Sequence, residues 1–266
     1  MKPFKHKNSL LYKITGKDLK KSSYLLGTMH AVCASDFLLS EKVLKALDKC
    51  SIYYMEVDLG SAQQIRLMEQ QMSAMADISG GLSDSGKEEL ELILQNQFDL
   101  SVNEVNQQGP LTLINRMTID AIDCDEIKVA EMELLKIAQE KGLKTGGLET
   151  ALEQLDIAQK VFTGKEILRQ LKSTGIYKEL FDKMMKAYQS EDLHDLSILA
   201  NDARFMSKRA YDILVINRNR RWAKSMPTLM ESQSTFFAVG AGHLPGEEGL
   251  LQLLIEMGFV VNPVYR

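Results

Sequence analysis

Two short, unbroken apolar runs lie near opposite ends of the chain, Tyr24-Leu25-Leu26 and Phe236-Phe237-Ala238-Val239, and each stops at a glycine. Apolar runs of this length, without polar alternation, predict strands buried on both faces. Three residues past each glycine stands a histidine, in Gly27-Thr28-Met29-His30 and in Gly240-Ala241-Gly242-His243. The glycine permits a tight turn, so the imidazole is expected to project from the C-terminal end of its strand. That is the edge at which α/β sheets bind ligands.

The pattern after each histidine also repeats. Leu38, Leu39, Val43, Leu44 and Leu47 have helical spacing and lead to a second apolar run, Ile52-Tyr53-Tyr54-Met55-Glu56-Val57. Beyond His243, a loop with Pro245, Gly246 and Gly249 precedes a helix pattern (Leu250, Leu251, Leu253, Leu254, Ile255), a stop at Gly258 and the strand Phe259-Val260-Val261. Both ends therefore read as strand, histidine loop, helix, strand. This predicts an α/β fold in which two degenerate units, side by side in one central mixed sheet flanked by many helices, turn their histidines to one cleft.

The chain from about 61 to 230 reads as helix inserted between these units of a single domain spanning 1–266. Ile65, Met68, Met72 and Met75 recur at helical spacing, as do apolar residues over 90–98, 127–139, 151–162, 176–188 and 203–226, with breaks at Gly80-Gly81, Gly109-Pro110 and Gly142. The methionines suit either core packing or an adaptable substrate groove. One piece departs from helix. Lys144-Thr145-Gly146-Gly147-Leu148-Glu149-Thr150 predicts a strand ending where a helix begins, with Thr150 and Glu153 as its capping box and Glu149 left to face the cleft.

Charge and cysteine content narrow the classes. The 266 residues carry a net charge of −4, with the basic residues scattered through helical stretches, which gives no footprint for nucleic acid. No run approaches membrane-spanning length. Cys33, Cys50 and Cys124, odd in number and without paired spacing, argue against a disulfide framework and for a reducing compartment, so a soluble cytoplasmic protein is expected. A mature exported form without its signal would have the same composition.

Taken together, Leu26-Gly27-Thr28-Met29-His30, Met55-Glu56-Val57-Asp58, Gly147-Leu148-Glu149-Thr150 with Glu153-Gln154, Arg218-Asn219 with Trp222, and Val239-Gly240-Ala241-Gly242-His243-Leu244 resemble the TraB/GumN family, to which the TIKI proteases are related. The resemblance spans about 24 to 264. It implies a compact fold related to the ChaN and erythromycin-esterase folds, with His30, His243 and Glu56 as the functional core. TIKI members look like divalent-metal-dependent proteases, whereas TraB-type members are linked to pheromone shutdown.

Residue chemistry leads to a similar place. Two imidazoles with one or two carboxylates (His30, His243, Glu56, Glu149) are ligands for a divalent ion with open positions for water, and such a donor set favours Mn²⁺ or Co²⁺. Glu56, set in an otherwise apolar strand, invites a role as proton acceptor, and Arg218 could stabilise a developing oxyanion. His6 and His194 sit in polar surroundings and read as surface residues, Asp58 as a strand-end cap, and Cys33 as a small buried residue. The expectation is a metal-dependent, peptidase-like hydrolase acting on a peptide or another small carbonyl compound. The alternatives are a non-catalytic protein that sequesters a peptide or haem, and a metal-free hydrolase in which His30 and Glu56 activate water.

Overall fold

The computed structural model describes residues 8–265 except 38, 73–76, 123 and 205, and of Met72 the backbone alone. In chain order the elements begin β1 (Leu11–Thr15), β2 (Ser23–Thr28), β3 (Ala31–Cys33), α1 (Glu41–Leu47) and β4 (Ile52–Val57). The middle of the chain holds α2 (Ala62–Met72), α3 (Asp84–Phe98), α4 (Val102–Gln108), α5 (Pro110–Ala121), β5 (Ile127–Val129), α6 (Ala130–Glu140) and β6 (Lys144–Glu149). Then come α7 (Ala151–Val161), α8 (Gly164–Lys172), α9 (Thr174–Gln189), α10 (Leu193–Ala200), α11 (Lys208–Tyr211) and α12 (Asn217–Ser232). The chain closes with β7 (Thr235–Gly240), α13 (Leu250–Glu256) and β8 (Val260–Pro263).

Six strands form one mixed sheet in the order β6-β4-β7-β2-β1-β8. β1 runs antiparallel to both its neighbours, and the other adjacent pairs are parallel. β2 and β7 are buried along their whole length, as their unbroken apolar runs require. The two end units do share this sheet, but they interleave instead of lying side by side: β7 of the second unit sits between β2 and β4 of the first. A parallel crossover must step over intervening space, and here that space is filled by the other unit's strand. Interleaving brings the C-terminal ends of β2, β7 and β4 together. Gly27 lies opposite Val239 and Thr28 opposite Gly240.

The main core packs on this sheet around Tyr12, Tyr53, Phe236, Phe237 and Trp222. A separate cluster, including Leu90, Leu94, Leu113, Ile167 and Leu171, binds α3, α5 and α8 to one another. β3 and β5 make a small antiparallel ribbon of their own.

Several expectations need correction. Residues 127–129 form a strand, because Ile127 and Val129 pair with Cys33 and Ala31 before the helix starts at Ala130. The helix expected from 203 starts at Lys208 and contains a π-turn over 212–216. α2 keeps Ile65 exposed and Met68 half-buried; the Met72 side chain, Met75 and Leu38 lie outside the described residues. Cys33 and Cys124 are disulfide-bonded, closing the β3–β5 ribbon with a Cα–Cα distance of 6.0 Å, and Cys50 is buried and free. The pairing spans 91 positions, so no local spacing could announce it. No helix among the described residues is long and apolar enough to cross a membrane.

Candidate functional site

The two histidine turns meet at the junction of β2 and β7. Gly27 is needed there because an added Cβ would lie 3.0 Å from the Cα of Ala241, in the turn that carries His243. Gly240 serves a different purpose. Its backbone is ordinary (φ −51°, ψ 135°), but a Cβ would lie 3.2 Å from His30 Nε2 and 3.5 Å from Glu56 Oε1, in the gap between the polar side chains.

Glu56, near the end of β4, is the hub. Its Oε1 accepts the Gly240 N–H at 2.9 Å and stands 3.9 Å from His30 Nε2 and 3.8 Å from His243 Nε2. Its Oε2 accepts from Arg218. Burial alone would raise this carboxyl, but Arg218, His30 and the Gly240 N–H more than offset it and hold Glu56 ionised, well below the usual carboxylate range.

Arg218 and Asn219 open α12 directly after the π-turn, a local widening that often marks functional positions. Arg218 donates to the Leu214 carbonyl of that turn at 3.2 Å. Its Nε and Nη2 reach the two Glu149 oxygens at 3.2 and 2.6 Å, Nη2 also reaches Glu56, and Nη1 lies 3.4 Å from His243 Nε2. Four of its five N–H donors are thus taken by Leu214, Glu149 and Glu56. Trp222, one turn on, lies with its ring centroid 4.4 Å from the guanidinium carbon and 4.6 Å from the His243 ring.

Asn219 settles the tautomer of His243. Its amide nitrogen donates to the carbonyls of His243 (3.2 Å) and Glu248 (2.8 Å), so its oxygen must accept from His243 Nδ1 at 2.6 Å. Nε2 of His243 therefore carries the lone pair that faces Glu56 and Arg218. Burial, with Arg218 and His30 nearby, pushes this imidazole down to about 3, so it is neutral. His30 is the opposite. Its Nδ1 lies 2.8 Å from the Glu131 carboxylate, which raises it to about 9, although a side chain 62 % exposed leaves water to screen part of that pull.

Glu149, at the end of β6, was expected to face a cleft; it is buried against the arginines of α12. Both of its oxygens are taken, Oε1 by Arg218 and Oε2 by Arg218 and by Arg221 at 2.9 Å. Burial raises its carboxyl, and the two arginines offset part of that. The Thr150–Glu153 capping box forms as expected. Asp58 closes a turn by accepting the Gly60 N–H. His194 is exposed on α10, and His6 lies outside the described residues.

The fit of a divalent ion can be judged from these donors. Among the described residues, no three His, Cys, Asp or Glu side chains stand at the spacing of a formed metal site. Glu149 offers no free oxygen. The donors that come nearest are His30 Nε2, Glu56 Oε1 and His243 Nε2, whose 3.8–3.9 Å separations from Oε1 fall within the span that two ligands, each about 2.1 Å from one ion, can bridge.

The sequence model of the TraB/PrgY/gumN family matches residues 10–263, which takes in every element that carries the site. The chain belongs to the TraB/PrgY/gumN family. Among curated proteins, this member is similar to Metalloprotease TIKI2 of Danio rerio, 27 % identical over 183 residues, covering 57 % of this chain and 35 % of the relative. It is similarly related to Metalloprotease TIKI2 of Xenopus tropicalis, 26 % identical with the same coverage. The chain thus spans about a third of the length of these relatives. No solved structure matches it.

Two residues of this family member escaped the sequence reading. Asn219 was noticed only as part of a motif, with no role, because an amide carries no charge signature. Glu131 was not among the candidate residues, since nothing in the sequence alone ties it to either histidine. A signal existed: Glu131, Leu134, Leu135 and Ala138 share one helical stripe and all are buried, so a charged residue stood on the apolar face.

Proposed function

We propose that this chain is a peptidase-type hydrolase, acting on a peptide or another small carbonyl-centred substrate, with its water-activating centre in the gap between His30, Glu56 and His243. The observation that carries this reading is the shared focus, Glu56 Oε1 standing 3.9 and 3.8 Å from the two Nε2 atoms at a place that Gly240 keeps clear. The likeness to the TIKI2 metalloproteases supports the same class.

In this reading His30 Nε2, Glu56 Oε1 and His243 Nε2 would hold a divalent ion, with Mn²⁺ or Co²⁺ suited to the mixed carboxylate and imidazole donors. The ion would supply acidification of a water and polarisation of the scissile carbonyl. The chain's own residues prepare the place. Arg218 and the Gly240 N–H keep Glu56 ionised with Oε1 turned to the gap, Asn219 aims a lone pair from His243, and Glu149 with Arg221 fixes Arg218. Arg218 is then an orienting group for Glu56 rather than an oxyanion clamp, and Glu149 is not a ligand. The Cys33–Cys124 bond supports an oxidising working compartment rather than the cytoplasm.

A second, metal-free reading is favoured by the opposite surroundings of the two histidines, a buried carboxylate that raises His30 and a burial that lowers His243. Paired groups pushed apart in this way suit acid and base work, with His30 giving a proton to the leaving group while Glu56 or His243 takes one from water. Cleavage of a peptide library with Mn²⁺, Co²⁺ or a chelator separates the readings. The metal reading expects cleavage that a chelator abolishes and added metal restores, and Glu56→Gln should lower kcat at least about a hundredfold with little change in KM. Chelator-resistant cleavage supports the metal-free reading. Binding without turnover under any metal supports a sequestering protein instead.

A further inference from the structure

His30 is set in an unusual way for a working imidazole. It lies in the turn between β2 and β3, and its side chain is 62 % exposed. A side chain with two free torsions on such a turn samples several rotamers. Its Nδ1, however, lies 2.8 Å from Oε1 of Glu131, a carboxylate only 6 % exposed at the side chain.

Glu131 is itself fixed from several directions. It stands in the first turn of α6, where a helix N-terminus favours a carboxylate. The Thr28 hydroxyl lies 2.6 Å from the same Oε1 and 3.0 Å from the Val239 carbonyl, which links Glu131 to both central strands. The Tyr53 hydroxyl, from β4, donates to the Glu131 carbonyl at 3.4 Å. The backbone adds a second tie, because the Ala130 N–H donates to the His30 carbonyl at 3.2 Å just where the β3–β5 ribbon begins. His30 is therefore held at ring and backbone by consecutive residues, and the Cys33–Cys124 bond closes the far end of the same ribbon.

We propose that Glu131 is a positioning residue of the reaction: by accepting the Nδ1–H of His30 it keeps that proton in place and fixes one ring orientation, with Nε2 turned to Glu56 and the gap. The proposal rests on the reading above that Nε2 of His30 is a working atom. Glu131 is the counterpart of Asn219, which holds Nδ1 of His243 from the other side of the site. A carboxylate in this place does more than an amide, because it also makes the far nitrogen a better donor atom, and loss of such partners costs about ten- to a hundredfold in affinity or activity.

The test combines kinetics with ¹⁵N-histidine NMR on wild type, Glu131→Gln and Glu131→Ala, with His30→Ala to assign the His30 ring signals. Glu131→Ala should abolish the Nδ1-bound proton signal of His30 and lower kcat about ten- to a hundredfold with KM near wild type. Glu131→Gln keeps the size and an acceptor oxygen, and should recover part of both. If the alanine variant does not fold, the same signs in the glutamine variant, smaller in size, carry the test. A folded variant whose His30 Nδ1 signal persists, or whose kcat stays within about twofold of wild type, overturns the proposal. If wild type cleaves no peptide, the hydrolase reading fails, and the hold on His30 is still decided by the NMR arm alone.

Discussion

The two histidine turns come from the same local pattern and end at adjacent parallel strands, yet the protein treats the two imidazoles oppositely. His243 is buried beside Trp222, held by a neutral amide, and neutral. His30 is exposed, held by a buried carboxylate, and pushed toward its protonated form. Both are gripped by Nδ1 and both turn Nε2 to the same oxygen of Glu56. One turn geometry is thus kept at both strands while the electrostatic roles are divided. The division follows from what each interleaved strand brings alongside: α12 with its π-turn for His243, the β5–α6 corner for His30.

The largest expected effect comes from removing what the two halves share. Gly240→Ala requires no change of backbone, because φ is −51°, but its methyl would occupy the gap 3.2 Å from His30 Nε2. It should fold and melt close to wild type while losing at least about a hundredfold in peptide cleavage, as is typical when acid–base geometry is lost. A variant with near-normal turnover would break the idea that the gap is the working place.

Next in size, Asn219→Ala acts on one half only. It leaves the buried His243 carbonyl and Nδ1–H, and the half-buried Glu248 carbonyl, without their partner, and an unsatisfied buried group costs about 1–3 kcal/mol. Chemical denaturation should therefore register a clear loss. Glu131, under a half-exposed ring, should matter less to stability than to turnover, and equal stability losses at the two positions would blur the comparison.

The smallest effect, and the most specific to each half, is in the pH dependence of stability without added metal. His30 has a folded pKa raised above its ordinary value, so its contribution is fully present below about 6.5 and is lost as pH rises toward about 9. His243 has a folded pKa lowered to about 3, so the unfolded chain binds the extra proton between about 6.5 and 3, and stability falls as pH falls through that window. His30→Gln should flatten the alkaline limb alone and His243→Gln the acid limb alone. Urea midpoints across the pH range check this, and interchange of the two limbs would refute the assigned protonation states.

How much of this was legible follows from what burial does to sequence. β2, β4 and β7 could be read because strands buried on both faces must be apolar throughout, and the same rule made Glu56 conspicuous. Glu149 and Thr150 were legible because a strand-to-helix junction has its own capping chemistry. β5 was not, since three residues too short to show a period preceded a real helix and merged with it. β1, Leu11-Tyr12-Lys13-Ile14-Thr15, was passed over because a single polar residue interrupts its apolar pattern. The Cys33–Cys124 bond and the Glu131 contact depend on pairing between segments far apart in sequence, which no local pattern encodes.

The claim at the centre of this account is that His30, Glu56 and His243 act on one ion. Thermal unfolding across a Mn²⁺ or Co²⁺ titration tests it most directly, because binding to the folded state raises stability by mass action. The account predicts a melting temperature that climbs with metal in wild type and stays flat in both His30→Ala and His243→Ala. A wild-type melting temperature unmoved by either metal, or a rise retained when one histidine is removed, would contradict it.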